Sequence, residues 1–369
     1  MNRSMLLSCL RRAESTLAPT NPNRILGAFC FGKKGDVTTY DDVVGTKVPV
    51  AKWLGESPGI IGCVEGPLLM ALLAASSSKD LTITPADAEI GLAFGRSRAR
   101  LPIISAADFP FRFPKTEDVP MFKISTGLLD AFALCAETAG SDDARPELSG
   151  VTISISVGEG SNDRVDVYSS DDLTTTWASA VIKGRADKYG SFGLPVGFVK
   201  SLIGQPKDDQ AATLGFGKSG AVFATKRGLR CFARYTHKNS DKTFVELFTG
   251  YADKSKGVSV PVTERLIGCV ARAQILVEHG GGPTTEFNIS REHKRLTLRT
   301  VGPAGEVTDT MALPASADFG ESLVSLRTGP GLLARALLTD RTARFRSDAV
   351  VVQAKHMVHL VSVAQHIEK

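Results

Sequence analysis

One helix pattern returns three times along this 369-residue chain, and an internal repeat constrains architecture more than any local motif. Leu6-Leu7 with Leu10 and Ala13 comes back as Leu128-Leu129 with Phe132 and Cys135, then as Leu266-Ile267 with Val270 and Ala273. Each copy sets apolar residues at i, i+1, i+4 and i+7, one face of a 3.6-residue helix. A second apolar helix follows each copy after roughly 60 to 70 residues, over 68–73, 196–203 and 332–338. The chain therefore reads as three units of about 120 residues, each with two helices.

Between the helices the pattern changes to strands. Residues 151–157 alternate Val, Ile, Ile, Val against Thr, Ser, Ser, the period of a half-buried strand. Residues 25–31 form an apolar run ending in the turn signal Gly32-Lys33-Lys34-Gly35. Further strands are expected at Val165-Asp166-Val167 and over 221–225, 229–234, 244–248, 286–289, 296–300, 350–353 and 357–363. Few interhelical stretches hold a crossover helix, which favours hairpins and antiparallel sheets. Each unit becomes an α+β layer with two helices on one sheet face. Turn-forming residues gather over 109–120 and 251–257, dividing the chain into domains 1–118, 119–254 and 255–369.

Hydrophobic residues at 43% and charged residues at 22% suit two or three domains with proper cores. A formal charge of +5 permits contact with phosphate without demanding it. No apolar run is long enough to span a bilayer, and Met5 to Leu10 precede Arg11 and Arg12, the reverse of signal-peptide order. The six cysteines are scattered without a C-x-x-C pair. Cys9, Cys135 and Cys269 lie on or beside the apolar helix faces, so buried reduced thiols and a cytoplasmic chain are expected.

Several chemical signals fail on their context. Gly215, Gly217 and Gly220 match G-x-G-x-x-G and enclose Gly-Lys-Ser, the basis of a third-ranked reading as a nucleotide-binding enzyme. A P-loop needs glycine where Ala212 stands, and a Rossmann loop must open a helix, whereas Ala221 onward reads as a strand. A hairpin is expected. His356 and His359 face opposite sides of a strand, a poor arrangement for one metal, so surface or interface histidines are expected there and at His366. No metal or other cofactor is expected. The acid pairs Asp41-Asp42, Asp142-Asp143 and Asp171-Asp172 sit where Asp turns the backbone.

Specific islands carry a resemblance. Gly95-Arg96-Ser97-Arg98 followed by Ala106-Ala107-Asp108-Phe109-Pro110 resembles the end of the first domain in the bacterial DNA polymerase III β sliding clamp family. Ile25-Leu26-Gly27 is similar to that family's first-domain strand, and Asp143-Ala144-Arg145 with Leu148 and Gly150 to the start of its second-domain sheet. Residues 271–276, Ala-Arg-Ala-Gln-Ile-Leu, resemble the end of the third domain's first helix. The islands fall in family order, one or more per unit, and the triplication is what the family requires.

The resemblance implies three repeated clamp domains per chain, closed head to tail with a second copy into a dimeric ring. Such a ring is a non-catalytic processivity factor, loaded onto double-stranded DNA by an ATP-driven clamp loader and tethering a DNA polymerase. A clamp-like scaffold for repair or regulatory proteins is the alternative. Cations on the inner helices would touch phosphates: Arg11, Arg12, Lys200, Arg265, Arg272 and Arg335, with Arg24 in a loop beside the first strand. The middle unit's first helix departs from this, carrying Asp130 and Glu137 and no base. The resemblance puts Leu101 and Ile103 with Ile275 and Leu276 at the dimer interface. It puts Ser170, Asp171 and Leu173 with Val361 and Val363 at a partner pocket between domains two and three. The family's Gly-His-Arg-Leu stretch is missing at that turn, a drift that a phage or plasmid clamp serving its own polymerase would explain.

Overall fold

A computed structural model of the chain describes all residues except 87, 115–118, 120, 141–148, 159, 161, 183–189, 239–240, 252–256, 280–283, 316, 320–322, 338–340, 355 and 363–369. Asp143, Ala144, Arg145, Leu148, Val363, His366, part of the first expected unit boundary and most of the second lie outside the described residues.

The first unit runs α1 (Arg3–Arg11), β1 (Ala28–Phe31), β2 (Val37–Tyr40), β3 (Val44–Val48), α2 (Val50–Leu54), β4 (Gly62–Glu65), α3 (Gly66–Ala75), β5 (Thr82–Pro85), β6 (Glu89–Phe94) and β7 (Ser97–Pro102). The second runs β8 (Met121–Lys123), α4 (Thr126–Glu137), β9 (Val151–Val157), β10 (Asp163–Ser170), β11 (Thr174–Ile182), β12 (Gly190–Leu194), α5 (Val196–Ile203), β13 (Ala211–Phe216), β14 (Gly220–Thr225), β15 (Arg230–Arg234) and α6 (Asp241–Gly250). The third runs β16 (Val258–Pro261), α7 (Glu264–Glu278), β17 (Thr285–Ser290), β18 (Arg295–Gly302), β19 (Gly305–Ala312), β20 (Asp318–Phe319), β21 (Leu323–Thr328), α8 (Pro330–Ala336), β22 (Thr342–Phe345), β23 (Ala349–Ala354) and β24 (Met357–Ser362).

Each unit's first helix starts where a short polar side chain covers its open N–H groups. Asn2 Oδ1 accepts from Met5 N at 3.1 Å, Ser125 Oγ from Leu128 N at 3.2 Å, and Thr263 Oγ1 from Leu266 N at 3.3 Å. The second helices open on proline: Pro67 and Pro330 inside the first turn, Pro195 at the cap. A fixed φ and a missing N–H are harmless at that position. The repeated apolar faces are fully inside: Leu6, Leu10, Leu128, Phe132, Leu266 and Val270 are all 0% exposed.

Two sheets cross unit boundaries. One has eight strands in the order β4-β1-β2-β3-β15-β14-β13-β8, and one has nine in the order β12-β9-β10-β11-β24-β23-β22-β16-β20. Two smaller sheets remain, β5-β6-β7 in the first unit and β19-β18-β17-β21 in the third. All named strand pairs are antiparallel, as the lack of crossover helices predicts. One core runs through units one and two, including Phe29, Phe132 and Phe223, while unit three closes its own around Phe287 and Phe345.

Two expected elements need correction, and one helix has no counterpart among the expectations. Residues 244–248 are helical within α6, not a strand: Phe244 and Phe248, one helical turn apart, both pack on Tyr168 at 5.4 and 6.1 Å between ring centroids. The run 25–31 begins as a 3₁₀ turn over Arg24–Gly27, and its strand starts only at Ala28. The short helix α2 carries no amphipathic repeat and had no sequence signal.

Candidate functional site

α1 of the first unit and α5 of the second border one groove, which collects three of the expected phosphate-binding cations. Arg11, Arg12 and Lys200 border a recess of about 370 Å³ with Ser8, Ser15 and Ser201. Arg12 is not available to a ligand in the expected way. Its guanidinium lies 4.7 Å over the Trp53 ring and donates from Nη1 to Asp209 Oδ2 at 2.8 Å, with the Asp209 side chain 0% exposed. Asp209 Oδ1 also accepts the Arg227 N–H at 2.7 Å. A carboxylate this deep needs such partners, so Arg12 is a rivet between units. Arg11 and Lys200 stay exposed, without an acidic partner among the described residues.

In the third unit Arg272 is also occupied. Nε and Nη2 donate to both carboxylate oxygens of Asp309 at 2.9 Å, a fork that raises the guanidinium pKa. Arg265 donates to the Thr310 carbonyl at 3.0 Å and remains exposed, as does Arg335 on α8. Arg24 stands apart from the helices, bordering another recess with Glu65 and Cys63. Asp130 and Glu137 are exposed on α4. The exposed cations therefore fall on α1, α5, α7 and α8, and α4 presents acid.

The expected partner pocket is only partly assembled. The turn after β10 does reach the last strand: Ser362 N donates to the Leu173 carbonyl at 2.8 Å. Asp171 serves the turn itself, its Oδ1 accepting from Leu173 N and Thr174 N at 3.1 and 2.6 Å. Ser170 is buried against Thr175, and Val361 is 0% exposed with its side chain in the core. Among the described residues of the set, Leu173, 54% exposed, is the one apolar side chain offered to solvent. A recess of about 370 Å³ lies nearby on the sheet face away from α4, lined by Tyr168, Trp177, Arg164, Asp166, Val245 and Phe248. Asp166 Oδ1 ties its floor together, accepting from Trp177 Nε1 at 2.8 Å and Arg164 Nη2 at 2.9 Å. Sequence reading misses this recess because residues 244–248 of its wall, α6, read as a strand. The Phe244/Phe248 spacing alone does not separate helix from strand over so short a run.

The hairpin expected at Gly215 to Gly220 is present: Gly217 N donates to the Gly220 carbonyl at 2.9 Å, and Phe216 pairs with Ala221. Among the described residues no cluster of three metal-ligating side chains occurs. His356 is exposed, but His359 is buried at the β11–β24 junction, 1% exposed, because its place on the inward face of β24 leaves it no route to solvent.

The two small sheets end in free strand edges. Inside the chain the rule for joining units is constant: the third strand after one unit's first helix pairs with the last strand of the next unit, β3 with β15 and β11 with β24. β19 and β7 are the third and last strands left unmatched. The exposed face of the third-unit sheet carries a row of alternating charge. Arg327 reaches Glu286 at 3.3 Å, Arg299 flanks Glu286 and donates to Glu306 at 2.9 Å, and Glu306 stands on the free edge. On the other free edge Arg100 lies 3.6 Å from Glu89. Of the expected interface residues, Leu101 points into its own core at 4% exposure and Ile103 is half-buried. Ile275 is 56% exposed at the end of α7, beside half-buried Leu276.

Solved structures of the same shape cover almost the whole chain. The DNA polymerase sliding clamp of Bacillus subtilis is 14% identical, with 99% of this chain and 98% of that one covered at a TM-score of 0.82. The DNA polymerase III β subunit of Thermotoga maritima is 17% identical, covering 99% and 98% at 0.78. The β clamp of Helicobacter pylori, solved with a DNA ligase peptide, is 14% identical, covering 99% of each chain at 0.74. This chain has the sliding-clamp fold. No family model and no curated protein matches its sequence, so the likeness rests on shape. No helix of the clamp-fold chain, among the described residues, is long and apolar enough to cross a membrane.

Proposed function

We propose that this chain is a DNA sliding clamp: two copies close head to tail around duplex DNA and tether a polymerase and other partners to it. The observation that carries the reading is the pair of unmatched sheet edges and their charge. Transferring the register of the two internal joints to β19 and the partner's β7 sets Val307 opposite Ala99, Thr308 opposite Arg98 and Glu306 opposite Arg100. The charge row then runs unbroken through Arg327, Glu286, Arg299, Glu306, Arg100 and Glu89. Surface ion pairs add little stability singly, but alternating charge fixes register and rejects wrong partners. The same transfer brings α7 of one copy to α3 of the other, as α1 meets α5 inside the chain. Exposed Ile275 would enter the recess of about 290 Å³ lined by Leu72, Ala75, Phe94 and Ala99. A two-fold closure of this kind leaves no open ring edge.

The helices of every unit then face the hole. Arg11, Lys200, Arg265 and Arg335 supply weak phosphate contacts that cost nearly the same at each step along the duplex, which is what sliding needs. The acidic face of α4 makes that contact uneven around the ring. The recess roofed by α6 suits an extended peptide with an apolar anchor on Trp177 and Tyr168. A clamp loader, not this chain, would spend ATP. The place of work is the cytoplasm, where the DNA is.

Retention on DNA tests the reading. After loading, the protein should stay on a closed circle and run off the same DNA once it is cut. Equal retention on both would end the proposal. Arg100→Glu should yield monomers at micromolar concentration, and adding Glu306→Arg in the same chain should restore the dimer.

A further inference from the structure

Cys30 and Cys63 are 33 positions apart in sequence (30 to 63) yet directly opposite each other across β1 and β4. The geometry of that pairing is specific. Cys63 N donates to the Ile104 carbonyl at 2.8 Å, and its own carbonyl accepts from Ile104 N at 2.9 Å. Both peptide groups of Cys63 therefore turn away from β1, which makes Cys30–Cys63 a pair without backbone hydrogen bonds. Such pairs are the closest in an antiparallel sheet, about 4.5 Å between Cα atoms, inside the range of roughly 4.4 to 6.8 Å that a disulfide spans. Both side chains leave the sheet on the face opposite Phe29 and Val64, in a small cluster with Ala28, Tyr40, Phe109 and Phe111 that is separate from the main core. A recess of about 340 Å³ reaches down to Cys63 between Arg24, Glu65, Pro67, Pro102 and Ile104. The other four cysteines are buried singly, Cys135 and Cys231 at 0% exposure.

We propose that Cys30 and Cys63 form a dithiol–disulfide couple, a modification site oxidised by low-molecular-weight disulfides and restored by small thiols. Cys30 keeps 8% of its surface exposed and Cys63 none, which orders the reaction. Contact with the Cys63 thiol lowers the Cys30 pKa against the effect of burial, and the Arg112 guanidinium adds to that, while Asp36 opposes it. The same contact, burial and Asp108 raise Cys63. The Cys30 thiolate attacks one sulfur of R–S–S–R and expels R–S⁻, which takes up a proton. Cys63 gives its proton to solvent and attacks the Cys30 sulfur of the mixed disulfide, expelling the second R–S⁻. One external disulfide is reduced to two thiols, and two protein thiols become one disulfide tying β1 to β4.

Oxidised glutathione is the probe. The full-length protein is incubated with it, denatured in the presence of an alkylating agent and digested, and the peptides are weighed. The expected product is a peptide pair joined through Cys30 and Cys63, lighter by two hydrogen atoms than its parts, with the other four cysteines alkylated and the link lost on reduction. Six alkylated cysteines, a different linkage, or glutathione held on both residues without a link would overturn the proposal. Cys63→Ser should stop at a glutathione adduct on Cys30, and Cys30→Ser should take up none. An adduct forming as fast on Cys63 in the second variant would overturn the order of attack. Wild-type mapping decides the couple even where a variant fails to fold.

Discussion

Thr46 of β3 lies opposite Cys231 of β15, and Thr176 of β11 lies opposite His359 of β24, so both joints within the chain place a threonine and a titratable group at one shared register position. The chemistry differs. At the first joint the Thr46 hydroxyl donates to the Cys231 sulfur at 3.6 Å, a weak contact, and burial pushes the thiol pKa up to about 12. That joint is instead riveted by Arg12 and Asp209 on the helix side. On the other side Phe111 stacks on Tyr40 at 4.5 Å and lies so close to Gly45 that any side chain there would meet its ring. At the second joint Thr176 Oγ1 meets His359 Nδ1 at 2.7 Å and Thr138 Oγ1 at 2.6 Å, and Thr138 reaches Ser169 Oγ at 2.7 Å. His359 Nε2 has no partner among the described residues. One joint is held by charge and aromatic packing at its rim, the other by a buried chain of hydroxyls that ends on an unsatisfied imidazole. The second therefore carries its own sensitivity to acid, through the buried imidazole.

The rivet carries the largest expected effect. Asp209→Ala strips the partner from a mostly buried Arg12 and from the Arg227 N–H, and breaking such a pair costs about 4 kcal/mol. Urea unfolding measures it, and a loss below about 1 kcal/mol would mean that strand pairing alone holds the first joint. The second effect depends on pH. Burial, then the nearby Arg341 charge, lowers the His359 pKa from 6.5 to about 4 in the folded chain. The unfolded chain therefore takes up its proton first as pH falls, so stability is full above pH 6.5 and declines toward pH 4. Roughly 3 kcal/mol should be lost across that window. In His359→Leu this part of the acid slope should vanish, and an unchanged slope would place the sensitivity elsewhere.

The triplicated helix faces made most of this fold legible, because an apolar stripe at helical spacing has few other uses. Caps and prolines repeat as well: Asn2, Ser125 and Thr263 before the first helices, Pro67, Pro195 and Pro330 at the second. Single side chains at the joints were not legible. Arg12 looks in sequence like any cation on a solvated helix face, and only the fold brings Asp209 to it. His359 reads as a surface residue until β11 is seen to cover its strand. Phe244 and Phe248 show apolar spacing compatible with strand or helix over so short a run, and the Tyr168 ring decides between them. Cys30 and Cys63 become a pair only once β1 and β4 are aligned.

The smallest effects give the sharpest contrast between the joints. Thr176→Val removes a hydroxyl that two buried groups share, leaving His359 Nδ1 without its partner and Thr138 with one contact fewer. An orphaned buried polar atom costs about 1 to 3 kcal/mol, so a loss of about 2 kcal/mol is expected. Thr46→Val makes the same change in shape at the matching position of the first joint. There the partner is a sulfur at 3.6 Å, and a protonated thiol tolerates apolar surroundings. That variant should stay within about 0.5 kcal/mol of the parent in the same urea titration. Equal losses in the two variants would show that both joints depend on their buried hydroxyl alike, and the division between a riveted joint and a hydrogen-bonded one would fall. A near-neutral Thr46→Val beside a costly Thr176→Val would instead make the second joint the place where a single proton or a single hydroxyl loosens the chain.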